Sequence, residues 1–280
     1  MKSFAESLTW GGLLTGAEKT RGFGTMEPLA EIGTDRRKNS MGTLLVDRLS
    51  DYTALDLETT GFDLHRDQIV EIAAVRVRDG VPTAEFSSLV HAEHNAAENW
   101  NHIPEGLLLD APEIALVLRD FLAFLGKDVM LGHNIHFFDA PFLSEELRRA
   151  SAAGNASLPA EIQNPCIDTL LLARNFLPDL PHHRLGDLAA YYGVDMGRQH
   201  RALDDARTAM AVYEHLKRET GEVMRCPECR KGFVVLLHAA RESGEKYRLW
   251  GCSNCSWRRE ITDQKGSIRE MLHEIVQEIL

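Results

Sequence analysis

No stretch of the chain approaches the ~20 consecutive apolar residues that a membrane-crossing helix needs. The N-terminus lacks the charged, apolar and small-residue succession of a secretory signal. A cytoplasmic protein without a membrane partner is expected. Cysteine is scarce, with five in 280 residues. That is too few for a disulfide scaffold, and four of them stand in two C-x-x-C pairs, which in a reducing compartment read as metal ligands. Positive charge is also in short supply. With 31 Lys and Arg against 42 Asp and Glu, the formal net charge is −11, which argues against a broad basic surface that coats nucleic acid. A nucleic-acid substrate would have to be drawn in by local groups and bound cations. Carboxylates gathered around divalent metal would themselves contribute to such a balance.

What is present suffices for one substantial core and a smaller module, since 44% of the residues are hydrophobic. Residues 1–46 are rich in Gly, Ser, Thr and charge without a sustained period and read as a flexible tail, within which Met26 and Met41 are alternative starts. Strands are predicted at 52–57, 68–78 and 84–91, the last two separated by Asp79-Gly80. Helical periodicity follows at 112–125, 138–152, 168–176, 185–192 and 202–220, with a short buried strand at 129–132. Strands first and βαβ-like alternation afterwards point to an α/β fold, a mixed sheet flanked by helices. The predicted division is a catalytic domain at 47–221, a cysteine module at 222–262 and an amphipathic helix at 263–280.

Asp56 and Glu58 stand two apart on a predicted strand, so both side chains leave the same face. Thr59, Thr60 and Gly61 end that strand, and a glycine there permits positive φ or close approach of a ligand. A bare D-x-E is equally a polar strand end before a turn. Asp139 opens a helix, where capping or dipole compensation is the usual role. It nonetheless shares a face with Phe142 and Leu143, where a carboxylate is costly unless a cation or donors compensate it. In the last long helix Asp205 falls within the apolar stripe of Ala202, Ala206, Ala209, Val212, Tyr213 and Leu216, whereas Asp204 falls with Thr208 and His215 towards solvent. His200 precedes that helix at the spacing H-x4-D.

In order and spacing, D-x-E-T-T-G at 56–61, H-N-x3-F-D-x-x-F-L at 133–143 and H-R-A-L-D-D at 200–205 resemble the three motifs of the DEDDh exonucleases. That family includes the proofreading epsilon subunit of bacterial replicative polymerase, RNase T and oligoribonuclease. The stretches 168–174 and 183–188 also look like family sequence, so the resemblance covers roughly residues 45 to 219. The second motif has one residue more between Asn134 and Phe138-Asp139 than many members, a form also found in three-prime repair exonucleases, which leaves the subfamily open. The resemblance implies an RNase H-like fold and 3′→5′ hydrolysis. It implies Asp56, Glu58, Asp139 and Asp205 as metal carboxylates and His200 as general base. It also suggests that Thr59 and the His102-Ile103 turn line the terminal nucleotide, a surface-loop role being the alternative for His102.

Phosphodiester hydrolysis needs a nucleophile at neutral pH and relief of negative charge on the phosphorus centre and leaving oxygen, both of which a pair of divalent ions supplies. Hard oxygen ligands favour two Mg²⁺ or Mn²⁺ over zinc. Without them, four carboxylates at close range would repel and take up protons. Nearby cations disfavour a protonated imidazole, so His200 is expected to stay neutral and able to accept the proton of water.

Cys226-Pro-Glu-Cys229 and Cys252-Ser-Asn-Cys255 are two knuckles separated by 22 residues. Their four thiolates suit a closed tetrahedral site for one structural Zn²⁺, with strands at 232–238 and 247–250 between them, as in a zinc ribbon. Cys166 lies outside the pattern and reads as an ordinary buried thiol. The module resembles the C-terminal ribbons of type IA topoisomerases, which bind single-stranded DNA, although its second knuckle is shorter. Eight Lys and Arg against five Glu make residues 222–262 relatively basic. Tyr247, Trp250 and Trp257 suit stacking on bases and equally suit the core of so small a module, so substrate binding and a structural or docking role both stand. The stripe Ile268, Met271, Leu272, Ile275, Val276, Ile279 and Leu280 is expected to pack on its own chain, or to form a homodimer or partner surface if exposed.

The expected function is a metal-dependent 3′–5′ exonuclease of proofreading or repair type, with single-stranded DNA favoured by the likeness of the ribbon. An RNA 3′-end exonuclease and a catalytically silent nucleic-acid-binding adaptor on the same fold are the alternatives. Contact with a 2′-OH is not legible in motif spacing. The presence of all five catalytic positions disfavours silence. Association with a DNA polymerase or repair protein leaves no clear signature in the chain.

Overall fold

The computed structural model describes residues 44–261 apart from 156, 199, 220–222, 224, 231 and 242–245. Most of the predicted tail and the predicted helix at 263–280 lie outside the described residues. The first strands are β1 (Leu44–Leu45), β2 (Tyr52–Thr59), β3 (Ile69–Arg78) and β4 (Val81–Leu89). Two short helices, α1 (Glu98–Asn101) and α2 (Glu105–Leu109), precede α3 (Ile114–Leu125), β5 (Met130–Gly132), α4 (Asp139–Ala152), β6 (Cys166–Asp168), α5 (Thr169–Phe176), α6 (Leu185–Tyr192) and α7 (Ala202–Leu216). A separate sheet comprises β7 (Val234–Ala240), β8 (Lys246–Cys252) and β9 (Arg258–Glu260).

The larger sheet has the order β1-β6-β5-β2-β3-β4, with β2, β3 and β4 antiparallel and the remaining neighbours parallel. This mixed sheet flanked by helices is the RNase H-like α/β architecture expected from the sequence. Asp79 and Gly80 join β3 to β4 with positive φ at both positions (51° and 75°), the geometry that matches the right-handed twist of paired strands. Strand β2 lies between two neighbours and is covered on both faces. Leu55 and Leu57 meet Leu118 and Phe121 of α3 and Leu143 and Leu147 of α4 in the main core, each such side chain worth roughly 1.5–3 kcal/mol on burial. The other face carries Tyr52, whose ring meets Tyr213 of α7 edge-on at 5.2 Å between centroids. That face also carries Asp56 and Glu58.

Several elements differ from the expectation. Leu44–Leu45 pairs in parallel with Cys166–Ile167, so the sheet begins inside the span assigned to the tail. Strands of two or three residues show no period of their own; their partners define them. Helices α1 and α2, of four and five residues, are not among the predicted helices, and the strand β9 lies beyond the two predicted in the cysteine module. Thr208 is buried rather than solvent-facing, its hydroxyl donating to Asp204 O at 2.8 Å. Asp204 is no free surface charge: it accepts from Arg198 N at 3.1 Å and pairs with Arg207 at 3.1 Å. Internal packing groups the described residues into two compact units. Residues 44–170 join 185–219 in one unit, and 171–184 join the described residues from 223 onward in the other. Within the latter, the buried Asn175 Nδ2 donates to Val234 O at 2.6 Å.

Candidate active site

The end of β2 and the first turns of α4 and α7 bring the carboxylates together. Alternation along β2 places Asp56 and Glu58 on one face, and a register shift between Glu58 and Thr59 ends the regular pairing there. Carboxylate oxygens of Asp56, Glu58 and Asp205 lie within 4.8 Å of one another. Asp139, the first residue of α4, stands outside that triad, but its charge acts on Asp56 and Glu58. It is 2% exposed, and its Oδ1 has no hydrogen-bond partner. The turn ahead of it is organised by the buried Asp168, whose carboxylate accepts from Asn134 N at 3.1 Å, His136 N at 3.1 Å and Leu170 N at 3.0 Å.

Burial is the largest cause of the shifts in this group, and mutual repulsion adds to it. Asp56 is pushed well above the ordinary carboxylate range, with Asp139, Asp205, Glu58 and Glu71 adding to burial. Glu58 rises to about 9 through burial and then Asp205, Glu71 and Asp139, with Arg201 opposing. Asp139 rises to about 8 by burial, against backbone hydrogen bonds and with the help of Asp168. Asp205 rises to about 6 by burial, moderated by the backbone N–H of His200 and raised by Asp204 and Glu71. Acids held this far from ionisation, with one buried oxygen left without a donor, fit an all-oxygen site for a hard divalent cation.

His200 is half-buried at the entrance to α7, with φ 61°, and its backbone N donates to Asp205 Oδ2 at 3.0 Å. Its ring lies 4.7 Å from that of Trp100, centroid to centroid. Burial and then His102 hold its pKa below the usual histidine value. The Trp100 turn is fastened to β2 by a buried amide pair: Asn101 Nδ2 donates to Thr59 O at 3.4 Å, and Asn95 Nδ2 donates to Asn101 Oδ1 at 3.0 Å and to Ile103 O at 2.8 Å. Thr59 spends its hydroxyl on Gly61 O at 2.6 Å. Ile103 is buried with Val70, Ala92 and Leu108, so its side chain is committed to packing, while His102 is exposed. Gly61 is required for a reason other than positive φ: a Cβ there would collide with the Asp67 carboxylate, itself held by Asp63 N at 2.7 Å and Thr60 Oγ1 at 3.1 Å.

Motif reading missed Trp100, Glu71, Arg201 and Asp168 as members of this neighbourhood. The one available signal was a charged residue inside an apolar strand at Glu71.

The sequence profile of the RNase T exonuclease family matches residues 53–213, which hold the carboxylates and His200. The chain belongs to that exonuclease family. It is 30% identical over 165 residues to the DNA polymerase III subunit epsilon of Aquifex aeolicus, covering 58% of this chain and 78% of that protein. It is 34% identical over 158 residues to the PolC-type DNA polymerase III of Oceanobacillus iheyensis, covering 55% of this chain. There the chain spans only 10% of the relative's length. Among solved structures, Escherichia coli Exonuclease I in complex with a dT13 oligonucleotide shares the fold, with a TM-score of 0.53 and 15% identity over 72% of this chain and 52% of that one.

Beyond the family-matched residues of this chain, the four cysteines cluster as the spacing predicts. Cys226 and Cys255 sulfurs are 3.6 Å apart, as are those of Cys229 and Cys252. This is far from a disulfide and close to the ~3.8 Å edge of a tetrahedron with metal–sulfur bonds of about 2.3 Å. Backbone N–H groups of Asn254 and Cys255 point at Cys252 Sγ from 3.1 and 3.2 Å, and Gly232 N points at Cys229 Sγ from 3.4 Å. A Cβ on Gly232 would sit 2.6 Å from Cys252 Sγ, so only glycine fits the knuckle. Burial raises the Cys252 and Cys255 thiols, and a bound metal would favour their thiolates. Trp250 is buried in the module's core with Val234 and Leu236, and Trp257 packs against them, which answers the question of stacking for Trp250 in favour of core.

No helix among the described residues is long and apolar enough to cross a membrane.

Proposed function

We propose that this chain hydrolyses single-stranded DNA from its 3′ end, with Asp56, Glu58, Asp139 and Asp205 holding two Mg²⁺ or Mn²⁺ and His200 acting as general base. The observation that carries the reading is the cluster of protonation-prone carboxylates with an unpartnered Asp139 oxygen, inside the span that matches an exonuclease family. Bound ions supply a lowered pKa for water and neutralise charge on the scissile phosphate. The chain's part is to orient and to move a proton. Asp205 holds its carboxylate in place through the His200 N–H, and the neutral imidazole of His200, backed by Trp100, accepts the proton of the attacking water. The exposed His102 beside the Thr59 strand end lines the terminal nucleotide. Kinship with an epsilon subunit supports association with a DNA polymerase, and the ribbon likeness supports DNA over RNA. The test is digestion of matched DNA and RNA oligonucleotides labelled at the 5′ end, with Mg²⁺, by wild type and Asp56→Ala. Stepwise shortening of DNA by wild type alone is expected; internal cuts, or equal release by both proteins, would defeat the reading.

For the ribbon we propose a domain division with the zinc module at 222–262 and one tightly held Zn²⁺ per chain. Thiolates select borderline metal and carboxylates select hard metal, so the two kinds of ion are expected to be separable. Mass spectrometry under native conditions should find a single zinc that Cys226→Ser with Cys252→Ser removes. Zinc retained by that double variant would refute the assignment.

Truncation after Thr220 is expected to keep cleavage of short oligonucleotides, because every proposed catalytic residue lies upstream. It removes the acceptor of Asn175, whose loss should lower stability by about 1–3 kcal/mol. If the ribbon grips nucleic acid, the truncated protein should bind longer single strands more weakly and with a flatter salt dependence, since cationic contacts release counterions. Unchanged affinity and salt slope would leave docking or stability as the ribbon's use.

A further inference from the structure

Glu71 is a carboxylate of the neighbourhood outside the four proposed to hold metal. It is directly opposite Glu58 across β2 and β3, so the two side chains share a face. Like charges in directly opposite positions destabilise a sheet. Glu71 is also 1% exposed, where an unpaired charge is costly. Its oxygens are instead all directed at the start of α7. Arg201 Nη2 donates to Oε1 at 2.9 Å, Arg201 Nε donates to Oε2 at 3.2 Å, and Ala202 N donates to Oε2 at 3.2 Å. The two guanidinium bonds form a planar fork that fixes orientation as well as distance.

Arg201 sits between His200 and Asp205 at the entrance to α7 and is bonded to the same turn. Asp205 N donates to Arg201 O at 3.0 Å, and His200 N donates to Asp205 Oδ2 at 3.0 Å. His200, Arg201 and Asp205 are therefore one hydrogen-bonded unit, and Glu71 ties that unit to the strand beside Asp56 and Glu58. Because 130 residues separate Glu71 from Arg201, no local preference sets this spacing. We propose that Glu71 and Arg201 are a positioning pair that sets His200 and Asp205 of α7 against Asp56 and Glu58 of β2. This inference rests on the nuclease reading above. Neither residue touches the reacting atoms; each acts through the backbone turn it holds.

The variants differ in what they strand. Glu71→Gln keeps the shape and an acceptor for Ala202 N. It releases an arginine whose side chain is 35% exposed and can be rehydrated. Arg201→Lys keeps the charge and loses the fork. The full chain would be assayed for kcat and KM on a 5′-labelled single strand, for Mn²⁺ binding without DNA by electron paramagnetic resonance, and for thermal melting. Glu71→Gln is expected to lower kcat and weaken Mn²⁺ binding each by about 10–100-fold, the range for groups behind metal ligands, while KM stays within about twofold. Arg201→Lys should shift both in the same direction by less. Glu71→Gln with Arg201→Met should be no worse than Glu71→Gln, because one shared interaction is lost. A lower melting temperature with unchanged kcat and Mn²⁺ affinity would overturn the proposal, as would a raised KM at constant kcat, which marks a substrate contact. If Glu71→Gln does not fold, Arg201→Lys decides by the same criteria. Absence of Asp56-dependent cleavage in wild type defeats the nuclease reading instead, and the Mn²⁺ titration still reads the positioning.

Discussion

Asp139→Asn is expected to abolish cleavage and, without divalent metal, to raise the melting temperature at pH 8. The loss should exceed a hundredfold, since even residues behind a ligand are worth about 10–100-fold. The gain in stability follows from the buried carboxyl. With its folded pKa at about 8 and an unfolded value near the ordinary aspartate range, Asp139 binds a proton in the native state that the unfolded chain releases. Stability therefore falls as pH rises from roughly 4 towards 8, by an amount on the order of a few kcal/mol, and below roughly pH 4 the group contributes no difference. Asparagine carries no charge to desolvate, so its advantage should grow over that interval and vanish in acid. Saturating Mg²⁺ should stabilise wild type more than the variant, because a ligand stabilises the state that binds it. Melting curves at several pH values with and without Mg²⁺ check this. A variant less stable than wild type at pH 8 without metal, with an undiminished response to Mg²⁺, would show that Asp139 is no cation ligand.

His200→Ala is expected to lower kcat by about 10²–10⁴-fold, the usual contribution of a general base. Mn²⁺ binding to the DNA-free protein should survive, since it is the backbone N–H of residue 200, kept by alanine, that holds Asp205 Oδ2. Asp205→Asn should damage metal binding as well as rate. Residue 200 has φ 61°, a conformation that asparagine adopts more readily than alanine. His200→Asn therefore serves as the control for backbone strain: it should be as slow as His200→Ala while melting nearer to wild type. Metal titrations that coincide for the His200 and Asp205 variants would contradict the separate roles.

The pattern of short-range spacing carried much of the site. A period of two puts Asp56 and Glu58 on one face of β2, a helical stripe separates Asp205 from Asp204, Asp79-Gly80 encodes a tight hairpin, and two C-x-x-C pairs encode the cysteine cluster. Each is a relation between residues a few positions apart, fixed by local geometry before the chain is folded. Tertiary structure decided the rest. Pairing makes strands of Leu44–Leu45 and Cys166–Asp168, which are too short to show a period. The burial of Ile103 beside Val70 and the unpartnered oxygen of Asp139 depend on what the folded chain places around them. The same holds for the bond between Asn175 and Val234 of β7, and for the Glu71–Arg201 fork across 130 residues. These contacts form only once distant segments have paid the entropy of meeting, and their energy depends on burial, which a linear pattern does not encode.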